Sequence, residues 1–323
     1  MKGKKMKVAL LTVLAMALGL VSGASAAEPG ALNYPAGSPG VFLGEFPPLP
    51  GLFMVAQTTY TTSDALYDSD GDKINDTKFK LNTWVETFRF LASYPQKLWG
   101  ANLYSQLVLP VVNVESKLSV RTPVGRHRIY DGEDSGLANI TVSPLIMNWQ
   151  LQESHQYFTL GLDIALEWGA SYDDDKAVNA GTGYTTFIPV LAYRYDNPNG
   201  LDVGVKANFM FNLENDSTDY DTGDMIALDL YAGWNFGKWK LGAMGAYTDQ
   251  FESDKVHGHT VKNSDIRMFN VGPSISYVAG PVIFNFNYQK GVTAENISKN
   301  DFFWFNIALP LYVPESYRPA KES

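Results

Sequence analysis

Three groups of residues could do chemistry, and each makes a different demand on the fold. Asp68-Ser69-Asp70-Gly71-Asp72 with Asp76 places carboxylates at alternate positions around a glycine, the pattern of a calcium-binding turn. Calcium takes roughly six to eight oxygen ligands, and Asp68, Asp70, Asp72 and Asp76 are the candidates. A full EF-hand loop needs a glutamate at its twelfth position and Phe79 stands there, so a solvated acidic loop is the alternative. Asp173-Asp174-Asp175 is a weaker version of the same signal. His257-Gly258-His259 could pair on a metal or serve a hydrolase, with His127 and His155 the remaining histidines. No serine sits in a recognisable nucleophile setting beside them, so the expectation is that the protein is not an enzyme. The third group is a set of isolated charges inside apolar segments: Glu86, Asp163, Glu167, Arg194, Asp202, Lys206 and Asp229.

The segments carrying that third group decide what it can do. In Leu201 to Glu214, Val203, Val205, Ala207, Phe209, Phe211 and Leu213 alternate with Asp202, Lys206, Asn208 and Asn212. Side chains alternate faces along a strand, so one face is apolar and the other wet. The same period recurs from Phe158 to Trp168 around Asp163 and Glu167, and from Val282 to Gln289 around Asn285 and Asn287. Read this way, about twelve such strands run from Leu52 to Leu309, each near the length of a tilted membrane strand, and the number is even. Long and short connections alternate along the whole series; Asp196-Asn197-Pro198-Asn199, Gly237-Lys238 and Ala279-Gly280 are among the short ones. The expected fold is all-β, a transmembrane antiparallel up-and-down barrel with long outer loops and short periplasmic turns. A soluble β-sandwich shares the alternating strands but predicts no parity in connection length. Trp99, Trp149, Trp168, Trp239 and Trp304 lie near strand ends, where an interfacial girdle belongs. Pro110, Pro144, Pro189 and Pro273 fall within strands and should mark bulges.

In a barrel the isolated charges must turn inward, since a basic group facing lipid costs about 2–4 kcal/mol near the midplane. The expected pore-lining set is Asp163, Glu167, Arg194, Asp202, Lys206, Asp229 and Glu86, acting either as a selectivity region or as an internal salt-bridge network filling a narrow lumen.

The start of the chain fits export. A basic stretch, Met1 to Lys7, precedes an apolar run from Val8 to Val21 and a small-residue site ending Ala24-Ser25-Ala26. Residues 1–26 therefore read as a secretory signal peptide, which places the protein in the bacterial outer membrane. Residues 27–51 are a Pro/Gly-rich arm whose prolines remove backbone donors, lying in the periplasm or in the lumen. The barrel spans 52–311, and 312–323 is a polar tail. Cysteine is absent, so neither a disulfide nor a lipid anchor is available. Charged residues make up 18% of the chain and aromatics 13%, a balance that favours a lipid-facing surface over a soluble one. The net charge of −9 without a basic stripe argues against nucleic acid as a partner.

With the strands placed, several short blocks stand out in order: Ser135-Gly136-Leu137-Ala138-Asn139-Ile140 with Ser143-Pro144, then Tyr220-Asp221-Thr222-Gly223-Asp224, Leu241-Gly242-Ala243, Tyr247-Thr248-Asp249-Gln250, Val271-Gly272-Pro273-Ser274 and Asn300-Asp301-Phe302-Phe303. From roughly Pro47 to Leu311 the chain resembles the outer-membrane family named for the meta-pathway of phenol degradation. The resemblance implies a porin-like transporter of hydrophobic or aromatic compounds and carries over no catalytic residue. The chain departs from many barrels in ending on a polar tail rather than an aromatic read by the barrel-assembly machinery. Expected partners are outer-membrane lipid, that machinery and a small-molecule solute, with no cofactor beyond calcium in the first loop. The alternatives are a structural or adhesion barrel displaying its loops and, further off, an outer-membrane hydrolase; open against plugged lumen, substrate and oligomeric state stay open.

Overall fold

A computed structural model describes residues 32–121 and 127–317; residues 1–26, read as a signal, lie outside them. Sixteen strands follow one another: β1 (Gly51–Ser63), β2 (Thr77–Leu98), β3 (Ala101–Arg121), β4 (His127–Leu137), β5 (Ile140–Leu151), β6 (Gln156–Leu166), β7 (Thr186–Asp196), β8 (Leu201–Asn212), β9 (Tyr220–Asp221), β10 (Met225–Phe236), β11 (Trp239–Gln250), β12 (Lys255–Val256), β13 (His259–Thr260), β14 (Arg267–Ala279), β15 (Val282–Glu295) and β16 (Asp301–Tyr312). Twelve of them form a closed antiparallel wall. β1 pairs with both β2 and β16, so no wall edge is left open. β4 is the extra strand: it pairs with residues 111–121 of β3, beyond the stretch of β3 that pairs with β5. β9, β12 and β13 form a small separate sheet within the loops.

The parity of the connections holds. Residues 99–100, 152–155, 197–200, 237–238 and 280–281 close one end tightly, and the longer loops gather at the other. Trp99, Gly100, His155, Gly237 and Gly280 take the positive φ that such turns require.

The apolar faces point outward. Phe158, Leu160, Leu191, Val205, Phe286 and Phe305 are all more than a third exposed, whereas Asn208, Asn285, Asn287 and Asn306 are buried. That inversion of a soluble core is what a lipid solvent selects. Trp99 and Trp168 are the most exposed tryptophans and fit a girdle; Trp304 does not, because it shares the inward face of β16 with Phe302 and Asn306. Aromatics on both faces of β16 left its alternation unreadable there.

The strand prolines behave in three ways. Pro144 sits in a register shift between Val142 and Ile146. At Pro189 and Pro273 the ladder is interrupted while the register on either side is kept. Pro110 lies where β3 exchanges β5 for β4 as its neighbour, and its carbonyl accepts from Ala138 N–H. A missing N–H removes one ladder bond; of these four prolines only Pro144 sits in a bulge, while Pro95 in β2 lies in a second register shift, between Ser93 and Lys97.

The described part of the Pro/Gly-rich arm is inside the barrel. From Asn33 to Pro47 it runs the length of the lumen; lacking a strand partner, it closes tight turns on itself, with a 3-10 turn at Gly40–Phe42, and takes its remaining hydrogen bonds from wall side chains. Asn33 donates to Tyr184 O and Thr186 Oγ1. Gln57 donates to Ser38 O, Arg194 to Val41 O and Leu43 O, Asn148 to Gly44 O, and Tyr104 to Pro47 O. Gly37 and Gly40 have positive φ, and a Cβ on Gly37 would meet the Gln289 amide at 2.6 Å. Glycine is required there by both conformation and space. Tyr34 and Ala36 pack with Ile188, Val190, Met210, Met225 and Met268, and Val41 and Leu43 pack with Tyr231 and Met244. Part of the lumen face is therefore a dry core rather than a wet one.

Candidate functional site

Alternation along the strands sends five of the seven expected charges into the lumen, where the arm divides them into two settings. Arg194 on β7 is fully buried and grips Asp202 on β8 with both Nε (2.9 Å) and Nη2 (2.7 Å). Glu45, carried in by the arm, lies 3.3 Å from Arg194 and 3.4 Å from Lys240 on β11, which also bonds Asp196 at 2.7 Å. Two cations and three carboxylates thus form one cluster, with the Tyr231 ring 5.5 Å from the guanidinium. Buried charges persist only when paired and hydrogen-bonded in this way. Asp229 on β10 is also fully buried; it accepts from Tyr34 O–H, Gly37 N–H and Asn208. Lys206 sits 4.7 Å from the Tyr34 ring and 3.3 Å from its hydroxyl. Arg194 and Asp229 therefore hold the arm, and Asp202 fixes Arg194 in place.

Beside the arm, the described residues line two cavities. The outer one, about 1220 Å³, is lined largely by apolar side chains, among them Leu81, Val85, Val112, Ile188, Phe302 and Trp304. The inner one, about 660 Å³, lies beside the lower arm, against Phe46, Leu49, Leu91 and Ile283. Arg89, Gln106 and Asp163 line both, so they mark where the two meet. Asp163 is buried and accepts from Ser143 Oγ, and Lys206 borders the inner cavity.

Two expected residues are elsewhere. Glu86 faces outward, where its carboxylate accepts from Thr58 Oγ1 (2.8 Å) and Trp84 Nε1 (2.9 Å). Glu86 and Arg89 are three apart and cannot share a face of one strand. The barrel puts Arg89 inside, consistent with the larger cost of a basic group than an acidic one against lipid. Glu167 lies one residue past the end of β6, exposed, its N–H on Thr185 Oγ1. Its parity was inward, but the strand stops before the parity can act. Arg89 was legible as a lone cation between Phe88 and Phe90; Glu45 was not, because the sequence left the arm's place open, and Lys240 was not, because it is the second residue of β11, beside a tight turn.

In the first loop, Asp68 Oδ1 accepts from the N–H groups of Asp70 and Asp72, which commits it to shaping the turn. Asp68, Asp70, Asp72 and Asp76 do not converge on one point; among the described residues the only carboxylate trio close enough to share an ion is the exposed Asp173, Asp174 and Asp175. His257 Nδ1 lies 3.0 Å from Asp219 on the loop surface, and His155 occupies a turn. In the outer loops Asp134 on β4 binds Lys176 (2.6 Å) and the N–H of Ala180. Burial alone would raise its pKa, yet these partners hold it below the ordinary 3.8.

Comparison with known proteins agrees with this architecture. The COG4313 outer membrane channel from Pseudomonas putida F1 has a similar structure, with a TM-score of 0.70 at 18% identity over 82% of this chain and 97% of that one. The CymD monoaromatic hydrocarbon channel is a more distant likeness, with a TM-score of 0.41 at 10% identity over 87% of this chain and 94% of that one. An uncharacterized protein of Borreliella burgdorferi is 24% identical over 147 residues, 42% of this chain and 69% of that protein. At such identities the structural likeness establishes a fold, a closed outer-membrane barrel. The family described as "Putative MetA-pathway of phenol degradation" matches residues 63–307, most of the wall and its loops, and the chain belongs to that family.

Proposed function

We propose that the protein carries small, largely apolar molecules, monoaromatics among them, across the bacterial outer membrane. The solute enters the outer cavity from the loops, passes Arg89, Gln106 and Asp163 beside the arm, and leaves through the inner cavity toward the periplasm. The observation that carries this reading is a lumen that a resident arm narrows without filling, leaving two cavities in series with mostly apolar walls. A hydrated ion gains nothing from such walls, whereas an apolar solute is desolvated by them. The likeness to an outer membrane channel points the same way for transport. Transport is favoured over catalysis because none of the described histidines meets a nucleophile. The last strand ends on Tyr312, an exposed aromatic at the periplasmic rim, which supports assembly by the barrel-assembly machinery despite the tail that follows.

The test is uptake of radiolabelled toluene into vesicles with a lipopolysaccharide outer leaflet, with and without the purified protein. Acceleration by the protein supports the reading; uptake equal to that of protein-free vesicles rejects it.

A further inference from the structure

We propose that Arg89 is an anion-binding residue at the junction of the two cavities, and that the solutes held best are apolar bodies bearing one carboxylate. The inference rests on the lumen being the solute route and adds a substrate class to it. Its basis is an unequal distribution of hydrogen bonds among the four charges that face this point. Asp163, from β6, accepts from Ser143; Asp229, from β10, accepts from the arm and from Asn208. Lys206, from β8, is engaged with the Tyr34 hydroxyl and ring and is an electrostatic neighbour of both carboxylates. Arg89, from β2, is an electrostatic neighbour of Lys206 and Tyr34, yet no hydrogen bond or ion pair to it is found among the described residues, and its Nε is buried without a partner.

A guanidinium has five donors in a planar fork; Nε is closed off inside the wall, and the donors open to the cavities are those of the two terminal nitrogens, which no described residue engages. The group that satisfies such a fork is a carboxylate, which accepts two parallel bonds. Because Arg89 lines both cavities, a carboxylate held by it leaves the rest of the solute in the apolar outer cavity. The apolar walls recognise the body and Arg89 the head.

The experiment compares 4-phenylbutyrate with its neutral counterpart 4-phenylbutanol, by titration calorimetry on the full-length protein in detergent at neutral pH. The expected result is roughly ten-fold or more tighter binding of the carboxylate, the scale of one hydrogen-bonded charge pair. Arg89→Gln should abolish that preference, bringing the acid's affinity down to that of the alcohol measured on the same variant, and Arg89→Lys, which keeps the charge without the fork, should restore part of it. Equal affinities for acid and alcohol in the native protein, or a preference that survives Arg89→Gln, overturns the inference and leaves the transport reading intact. Binding of neither compound overturns both. The native comparison needs no variant, so a folding defect in Arg89→Gln cannot mask the answer.

Discussion

Glu86 and Asp163 are both acids in apolar strands, and only the side of the wall separates their roles. Asp163 borders both cavities, whereas the Glu86 carboxylate is tied outside by Thr58 and Trp84. Asp163→Asn removes a fixed negative charge from the junction and should shift residual ion selectivity toward anions. Glu86→Gln should leave it unchanged. Reversal potentials across a salt gradient in a planar bilayer read both; a shift with Glu86→Gln would place that carboxylate in the pore after all. The same logic explains why Arg194, although it points inward, is no selectivity residue: it is fully buried beneath the arm and already saturated by Asp202, Glu45 and two carbonyls.

At the scale of elements, the arm has only one short 3-10 turn, Gly40–Phe42, of its own, and it stays in place through contacts to the wall. Arg194 is its central clamp. Arg194→Ala would leave Asp202 buried without its main counter-charge, a loss of about 3–5 kcal/mol for a broken buried pair. The expected outcome is a lower unfolding temperature together with raised single-channel conductance as residues 41–45 come away. Reduced stability with native conductance would mean that the arm holds without the clamp.

The loop of residues 171–182 is docked on β4 in a comparable way, by Asp134 on Lys176 and Ala180. Because the folded state lowers the Asp134 pKa, its contribution is present above the unfolded value of about 3.9 and is lost as pH falls through the folded one. Protection factors of residues 173–181, the exchange rates taken relative to the intrinsic rate at each pH, should therefore stay high at pH 5 and fall only in stronger acid. In Asp134→Asn they should be low throughout; protection that ignores both pH and the substitution would show that the loop is held by other contacts.

For the whole molecule the governing condition is two solvents on the two sides of one sheet. Leu191 is half exposed on the outer face of β7, and Thr87 lines the outer cavity from β2. Leu191→Arg puts a cation against hydrocarbon and should cost about 2–4 kcal/mol if it lies near the midplane. Thr87→Arg places the same group in the lumen and should cost less. Urea titration of the barrel refolded in lipid vesicles measures both, and equal losses would contradict the sidedness assigned to the wall.

The alternation of Val203, Val205 and Ala207 with Asp202, Lys206 and Asn208, and the alternation of long and short connections, were enough to specify the wall, its strand number and the side of most residues, because both are local consequences of a period of two and a fixed membrane thickness. Where two faces were alike, as around Trp304, or two charges competed for one interior, as with Glu86 and Arg89, local pattern had no answer. Only the closed barrel decided those, by comparing the cost of each side chain in lipid with its cost inside. The arm shows the deepest limit: Pro47-Pro48-Leu49-Pro50 says that the segment cannot join the sheet, but its place depends on Arg194, Asp229, Gln289 and Met244 meeting in one lumen from strands far apart in sequence. Those residues become neighbours only when the sheet closes, and that closure turns an even lining of charges into a held plug with a passage beside it.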